Sequence, residues 1–478
     1  MNTLNRRRFF EDSIMAAAAV SLPVARVASA DASVSANEKL TAAIIGCGIR
    51  GKAHAQELAK LTDCEIAYVC DPDLDRADEV GALLVKMNRP MPKKVQDLRL
   101  VYDDKSVDVI FVATPNHWHA LATIWAMQAG KDVYCEKPVS HNVSEGRRMV
   151  QAARKYGRIC QAGTQNRSRG ALAEAVKYMQ DGKLGDVKLA RSIVYGGRDS
   201  IGGPSPCAMP PRCDYNLWAG PAPRTELMRP KFHYDWHWFW DTGNGEIGNN
   251  NIHSLDICRW GLGVTGLGHS VISYGGRLGY VDAAETPNTQ VAVFDFGSKT
   301  IVSETRGLKT VPFHPTIKSS WFFYGTEGII AETDLYDLEG KRVRAFEGKS
   351  GNHFTNFLQA VRSRKQTDLA ADILEGHQST ALCHIANISF HLGSVTSLSD
   401  VPSRLSQVKN QGEVLETFAR TKQHLADAGV IIDDVKLTVG EHLRIDGEKE
   451  QFLDNPNADR LLTCVYRNPF TVPKESEI

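Results

Sequence analysis

The chain has no excess of charge of either sign: Lys plus Arg and Asp plus Glu number 56 each in 478 residues. Such a balance offers no electrostatic reason to bind nucleic acid or an acidic membrane, so the expected partner is a small molecule. Long apolar runs are missing too. The apolar stretch near the N-terminus is short and alanine-rich, and no later run approaches about 20 apolar residues, which argues against stable membrane insertion. There is no internal repeat and no low-complexity segment. Even less about thirty residues for a leader, the length exceeds the usual single domain, so two domains are the prior, each able to bury a core.

Cysteines are present, ten of them, but without the setting of a disulfide framework. Cys47, Cys64, Cys70, Cys135 and Cys160 lie in or beside apolar strand-like runs, where sulfur packs as a small hydrophobe. Cys207 and Cys213 flank a proline-rich loop and are the one pair to test for a bridge. The chain's opening argues against that bridge. Asn5-Arg6-Arg7-Arg8-Phe9-Phe10, a small-residue apolar run over 14–20 and Ala28-Ser29-Ala30 read as a twin-arginine export signal, a route taken by proteins already folded in a reducing compartment. The expectation is a leader over 1–30, the twin-arginine export machinery as a partner, and a periplasmic or otherwise exported protein.

From 40 to 165, short β-branched runs alternate with helical stretches, the rhythm of a parallel sheet with crossover helices. Strands are expected at 42–45, 65–70, 107–113, 131–135 and 158–162, with a helix at about 119–128. After Arg167 come a helix to about 180, a strand over 187–195, and a stretch from 197 to 230 too rich in proline for regular structure, a candidate active-site wall. Alternating runs at 270–274, 289–294, 299–304 and 321–324 predict a second, mainly antiparallel sheet. Helices return at 354–364 and 378–392.

Gly46, Gly48 and Gly51 close the first strand with the spacing of a dinucleotide loop: absent side chains let backbone approach a pyrophosphate, and the next helix's N-terminus stabilises its charge. Alone the pattern is weak, and a ligand-free tight turn reads equally well. Asp71, about 20 residues on at a second strand end, is placed for ribose hydroxyls and repels a 2′-phosphate. NAD is therefore favoured over NADP, although Arg50 and Arg76 keep NADP possible. Beyond these, Thr114-Pro115-Asn116-His117-Trp118-His119 and Glu136-Lys137-Pro138 sit at the carboxyl ends of parallel strands, where such sheets bind ligands. Pro138 holds Lys137 in place through its restricted turn, cis or trans.

Further along, Asn249, His253 and Asp256 share one face if the segment is an α-helix, so an amide or carboxylate there can set the imidazole tautomer that proton transfer needs. A structural histidine is the plainer reading, and a His plus Asp cation site is a third, though no further ligand clusters with them and no metal is expected. Between Phe232 and Asp241, aromatics alternate with His and Asp. Such a segment serves equally as core or as a surface for a sugar, whose C–H faces stack on rings while its hydroxyls bond.

Through Gly46-x-Gly48-x-Arg50-Gly51, Thr114-Pro115-Asn116-His117, Glu136-Lys137-Pro138 and the block ending His253-x-x-Asp256, the chain resembles the family of glucose-fructose oxidoreductase, inositol dehydrogenase and the rhizopine-catabolism protein. The resemblance implies an α/β fold: an N-terminal Rossmann domain with a doubly wound parallel sheet, then an α/β domain with a large open sheet often used in oligomer contacts. On that reading residues 38–165 bind the dinucleotide, 166–400 form the substrate and homo-oligomerisation domain, and 401–478 are an extension packing on the second domain. It places Gly46, Gly48, Ile49, Arg50, Gly51, Asp71, Thr114, Asn116, His119, Glu136 and Lys137 at a tightly held NAD. Substrate contacts fall to Arg167, Trp236, His237, Asn249 and His253. It also implies that Lys137 lies by the reacting hydroxyl, that His253 is the acid/base and that Asn249 assists it. Many members carry aspartate at that last position, so His253 is expected to be the weaker base here, unless Asp256 compensates. The implied activity is hydride exchange between the cofactor and a sugar, cyclitol or sugar derivative. A secreted branch that cleaves glycosides through a keto-sugar with retained NAD is the alternative, but that branch lacks the Glu-Lys-Pro motif.

Overall fold

The computed structural model describes residues 39–313 and 319–478; the expected export leader lies outside the described residues. Strands β1 (Leu40–Ile45), β2 (Cys64–Cys70), β3 (Lys93–Val95), β4 (Val109–Val112), β5 (Asp132–Cys135) and β6 (Cys160–Ala162) form a parallel sheet in the order β3-β2-β1-β4-β5-β6. The order reverses beside β1, so the carboxyl ends of β1 and β4 flank a crevice. Helices α1 (Ile49–Leu58) and α2 (Leu74–Lys86) cover one face, while α3 (Asn116–Gln128) and α4 (Val143–Lys155) cover the other. Both faces are therefore dry, which is why β4 and β5 are buried at every position. The sequence pattern does not announce β3: three residues long and largely exposed, it has no apolar alternation to read.

The second sheet has twelve strands among the described residues. Its continuous path is built from β7 (Leu189–Tyr195), β8 (Ser270–Gly276), β9 (Thr289–Asp295), β10 (Thr300–Arg306), β11 (Ser319–Tyr324), β12 (Ile329–Ala331), β13 (Asp334–Tyr336), β14 (Arg342–Ala345), β15 (Ser394–Ser397) and β16 (Lys436–Val439). Only β7 and β10 pair in parallel; the other neighbours are antiparallel. Helix α5 (Ile252–Leu262) lies on one face, preceded by a π-helical turn at Ile247–Asn251. The stretch from 197 to 230 is irregular, as its prolines require, except for a short helix at Tyr215–Ala219.

Two later segments return to the first domain. Helix α6 (His353–Ser363) inserts Phe354, Phe357, Leu358 and Val361 into the core under α1 and α2, with Phe354 stacked on Tyr134 at 5.0 Å. Helix α7 (Ile373–His391) then runs between the domains, buried on nearly all sides. The C-terminal extension packs on the second domain, as expected of it, and also on the first. Helix α8 (Gln411–Asp427) does cover the second sheet with Val414, Phe418 and Leu425. The last residues cross back: Phe470, Val472 and Ile478 join the Rossmann core, Phe470 meeting the Trp118 ring edge-on at 5.4 Å. The reason is α3, whose Trp118 and Trp125 present an aromatic surface that needs covering. All ten cysteines are free thiols; Cys207 donates to the Arg229 carbonyl and is not bridged to Cys213.

Candidate active site

A cleft of about 320 Å³ runs over the carboxyl ends of β1, β2, β4 and β5 to the aromatic segment and the π turn of the second domain. At one end is the glycine loop. Gly46 has φ +91°, and a Cβ there would lie 2.6 Å from the Ala113 carbonyl; a Cβ at Gly51 would lie 1.9 Å from the Gly46 carbonyl, so only glycine lets α1 sit on β1. At Gly48 the same position opens into empty space, and α1 starts there with no side-chain cap. Its first N–H groups are left for an anion. Asp71 accepts the Cys47 and Asp73 N–H groups at 2.7 and 2.9 Å while lining the cleft. Burial raises its pKa to about 6, the two N–H bonds opposing. An uncapped helix start, an open cradle and a carboxylate at the next strand end together fit a dinucleotide.

Deeper in the cleft, Thr114, Asn116, His119, Glu136 and Lys137 line the wall as expected, but several are also tied to neighbouring elements. Asn116 donates to the Asn244 side chain at 2.9 Å, and His119 bridges the Pro138 and Thr114 carbonyls at 2.6 and 2.8 Å. Glu136 accepts from His54 at 2.8 Å and from Arg50 at 2.5 Å. Burial opposes its ionisation, yet the His54 bond and the Arg50 charge hold the carboxyl well below the usual range. It thus pins α1 to the end of β5. The Lys137–Pro138 peptide is cis. Lys137 Nζ donates to the Asn249 carbonyl at 2.5 Å, and burial lowers its pKa, with the Glu136 charge opposing.

The π turn takes Asn249 out of the expected alignment, while His253 and Asp256 keep their spacing within α5. One extra residue in the turn breaks the three-and-four spacing an α-helix would give. Asn249 turns its amide to Glu246 at 3.3 Å, Asn250 also bonds Glu246, and Asn251 reaches Ser192, Ser303 and Thr305 in the sheet below. Asp256 is held by Arg167 through bonds of 2.8 Å and by Ser379 at 2.6 Å. Neither Asn249 nor Asp256 bonds the His253 ring, whose Nδ1 is buried without a partner among the described residues, and His253 is not among the residues lining the cleft. Burial, and then the Lys137 charge, push the His253 pKa down to about 3, so the ring is neutral at ordinary pH. With Asp256 occupied, the His plus Asp cation reading has no free ligand pair.

Arg167, expected at the substrate, is instead buried between Asp256 and Glu375, its guanidinium 5.2 Å from the Trp260 ring, and is not among the residues lining the cleft. Trp236 and His237 do line it, stacked at 3.6 Å, with burial lowering the His237 pKa to about 3. Tyr234, within the aromatic segment expected to serve as core or sugar surface, lines the cleft as well; sequence reasoning missed Arg198, Glu246 and His54. His54 lies four residues from Arg50 on α1, a spacing that could have revealed their shared partner Glu136. Arg198 and Glu246 pair across an irregular stretch, for which no local signal exists.

Fold and cleft together define a two-domain dinucleotide-binding protein. Its sequence matches the model "Oxidoreductase family, NAD-binding Rossmann fold" over residues 40–164 and that family's "C-terminal alpha/beta domain" over 193–425. The chain belongs to this NAD-binding oxidoreductase family. It is similar to a glycosyl hydrolase family 109 protein of Shewanella putrefaciens, 32% identical over 24% of this chain and 26% of the relative. A levoglucosan dehydrogenase of Pseudarthrobacter phenanthrenivorans is 28% identical over 31% of this chain and 39% of the relative. The match thus spans about a quarter to two fifths of these relatives' length. Among solved structures, the fold is similar to the WlbA dehydrogenase of Bordetella pertussis in complex with NADH and UDP-GlcNAcA (TM-score 0.54, 20% identity, 72% of this chain and 94% of that one). A levoglucosan dehydrogenase in complex with NADH is alike to the same degree (TM-score 0.54, 18% identity, 73% and 97%).

Proposed function

We propose that this protein is an exported NAD-dependent oxidoreductase acting on a CH–OH group of a sugar, cyclitol or sugar derivative, with its cofactor tightly retained. The observation that carries the reading is the position of Lys137, an ammonium held by the Asn249 carbonyl on the cleft wall between the glycine loop and the Trp236/His237 stack. When bound, the nicotinamide supplies a two-electron hydride acceptor. The chain's own work is positioning and proton movement. Lys137 donates to the reacting oxygen and polarises it, exchanging its bond to Asn249 for one to substrate. His253 does not itself line the cleft, but it lies near enough to Lys137 for that charge to lower its pKa, and its neutral ring carries the one lone pair that can take the hydroxyl proton once substrate brings the two together. Trp236 and His237 offer ring faces to a sugar.

Glu136, Arg50 and His54 hold α1, and with it the pyrophosphate cradle, at a fixed distance from Lys137. NAD is proposed over NADP because the Asp71 carboxylate faces the ribose position and repels a 2′-phosphate. Dehydrogenase relatives and neighbours seen with NADH or a sugar nucleotide support the class. The redox-neutral glycosidase reading rests on family 109 relatives matched over about a quarter of their length, and no feature of the cleft favours it. Export, inferred from the N-terminal arginines, demands that the enzyme keep its cofactor and regenerate it in place with a second substrate or by a later step on the same substrate. The test is mass spectrometry of the purified, denatured protein for released NAD, followed by a sugar panel read by nicotinamide absorbance. Protein from its native host that is free of dinucleotide and takes none up refutes the proposal.

A further inference from the structure

Beside the cleft lies a second cavity of about 560 Å³, within the range of small-molecule sites. The two spaces adjoin and share Arg198 and Tyr234 among their lining residues, Arg198 donating to the Tyr234 hydroxyl at 3.3 Å and to Glu246 at 2.8 Å. Two charged groups lining this cavity, near enough for each to shift the other's ionisation, form no hydrogen bond among the described residues. Asp235 is 4% exposed, and its carboxylate makes no hydrogen bond or ion pair with the described residues. The Arg229 guanidinium lies 3.7 Å from the Phe239 ring, and its Nε is buried without an acceptor among the described residues. Buried polar groups ordinarily find partners; a buried Arg229 N–H and an unbonded Asp235 carboxylate on one cavity are complementary in type and point to a ligand that both donates and accepts.

Charge narrows the ligand further. Arg198 is neutralised by Glu246 and Arg277 by Asp282, which leaves Arg229 and Lys231 against Asp199 and Asp235. That balance favours neither an anion nor a cation. Hydroxyl groups, each donor and acceptor at once, satisfy both kinds of wall, and the Trp238 and Tyr234 rings on the same cavity suit C–H faces. We propose that this cavity is a subsite for a second, uncharged sugar ring. The substrate is then a glycoside of at least two rings, oxidised on the ring beside Lys137 while the other lies beyond Arg198 and Tyr234. This rests on the sugar dehydrogenase reading above and specifies its substrate.

The test uses the NAD-loaded full-length enzyme with glucose, cellobiose, maltose, trehalose and a glucuronide matched to one of the disaccharides, measuring both kcat/KM and calorimetric affinity. At least one neutral disaccharide is expected to exceed glucose by about tenfold or more, and Asp235→Asn or Arg229→Ala to remove about tenfold or more of that advantage with a much smaller change for glucose. Equal behaviour of glucose and every disaccharide, equal losses in the variants, or preference for the glucuronide overturns the proposal, as does binding of none of them. Tight disaccharide binding lost in Asp235→Asn, without turnover of any sugar, upholds the subsite and refutes the dehydrogenase reading instead. Should Arg229→Ala fail to fold, Asp235→Asn, which keeps the side chain's shape, decides.

Discussion

Lys137 is near enough to perturb the ionisation of His253, and burial shifts both the same way, toward the uncharged form. Two testable consequences follow at this scale. Lys137→Ala is expected to lower kcat by about 10²- to 10⁴-fold while released NAD remains stoichiometric, because the ammonium's proposed partner is the substrate oxygen, not the cofactor. Turnover assays paired with mass spectrometry of the denatured variant check this. In the pH profile of kcat/KM, the alkaline limb is expected below the ordinary lysine value of about 10.4, and no acid limb near 6.5 should arise from His253, whose pKa is about 3. An acid limb at 6.5 that disappears in His253→Asn would contradict the environment described for the ring. The three consecutive asparagines show how residue chemistry depends on backbone: Asn249 and Asn250 turn to Glu246, Asn251 to the sheet.

Among elements, the junction of β1 and α1 is the least tolerant. A Cβ at Gly51 would stand 1.9 Å from the Gly46 carbonyl, and backbone on both sides leaves no flexible side chain to yield. Gly51→Ala is expected to push α1 off the strand, weakening NAD retention by at least an order of magnitude, measurable by calorimetric titration. The C-terminal strap is a second such element. Phe470 is 1% exposed and covers Trp118 and Trp125 of α3, so Phe470→Ala should cost about 3–5 kcal/mol in urea unfolding. If the last residues were a loosely attached tail, that cost would be near zero.

For the whole molecule, pH dependence follows from buried imidazoles. Burial lowers His117, His237, His253 and His384 to about 3, and His233 and His424 to about 4. Their unfolded values are about 6.5, so below that pH the unfolded chain binds protons the folded one refuses, and stability falls as pH drops from 7 toward 4. Asp71 and Glu145, raised by burial to about 6 and 7, act in the opposite sense, since the folded state holds their protons first. The histidines outnumber them. The urea midpoint should therefore decrease from pH 7 to pH 5, and an unchanged or rising midpoint would show that the carboxyls dominate.

Local patterns in the sequence determined the two sheets, the glycine loop with Asp71, the strand-end positions of Lys137 and Glu136, and the burial of Cys47 and its fellow thiols, because each rests on periodicity or on a turn a few residues long. Tertiary structure alone decided what the side chains do once there. The π turn that turns Asn249 away from His253 is set by Asn251 bonding residues some fifty positions away, and Arg167 is withdrawn from the cleft by Asp256 and Glu375. The same holds for the return of Phe470 to α3 and for the Arg198–Glu246 pair where cleft and second cavity adjoin. Hydrogen bonds and ring contacts between distant segments act only when folding brings their partners within a few ångströms, and no local spacing in the chain encodes that meeting.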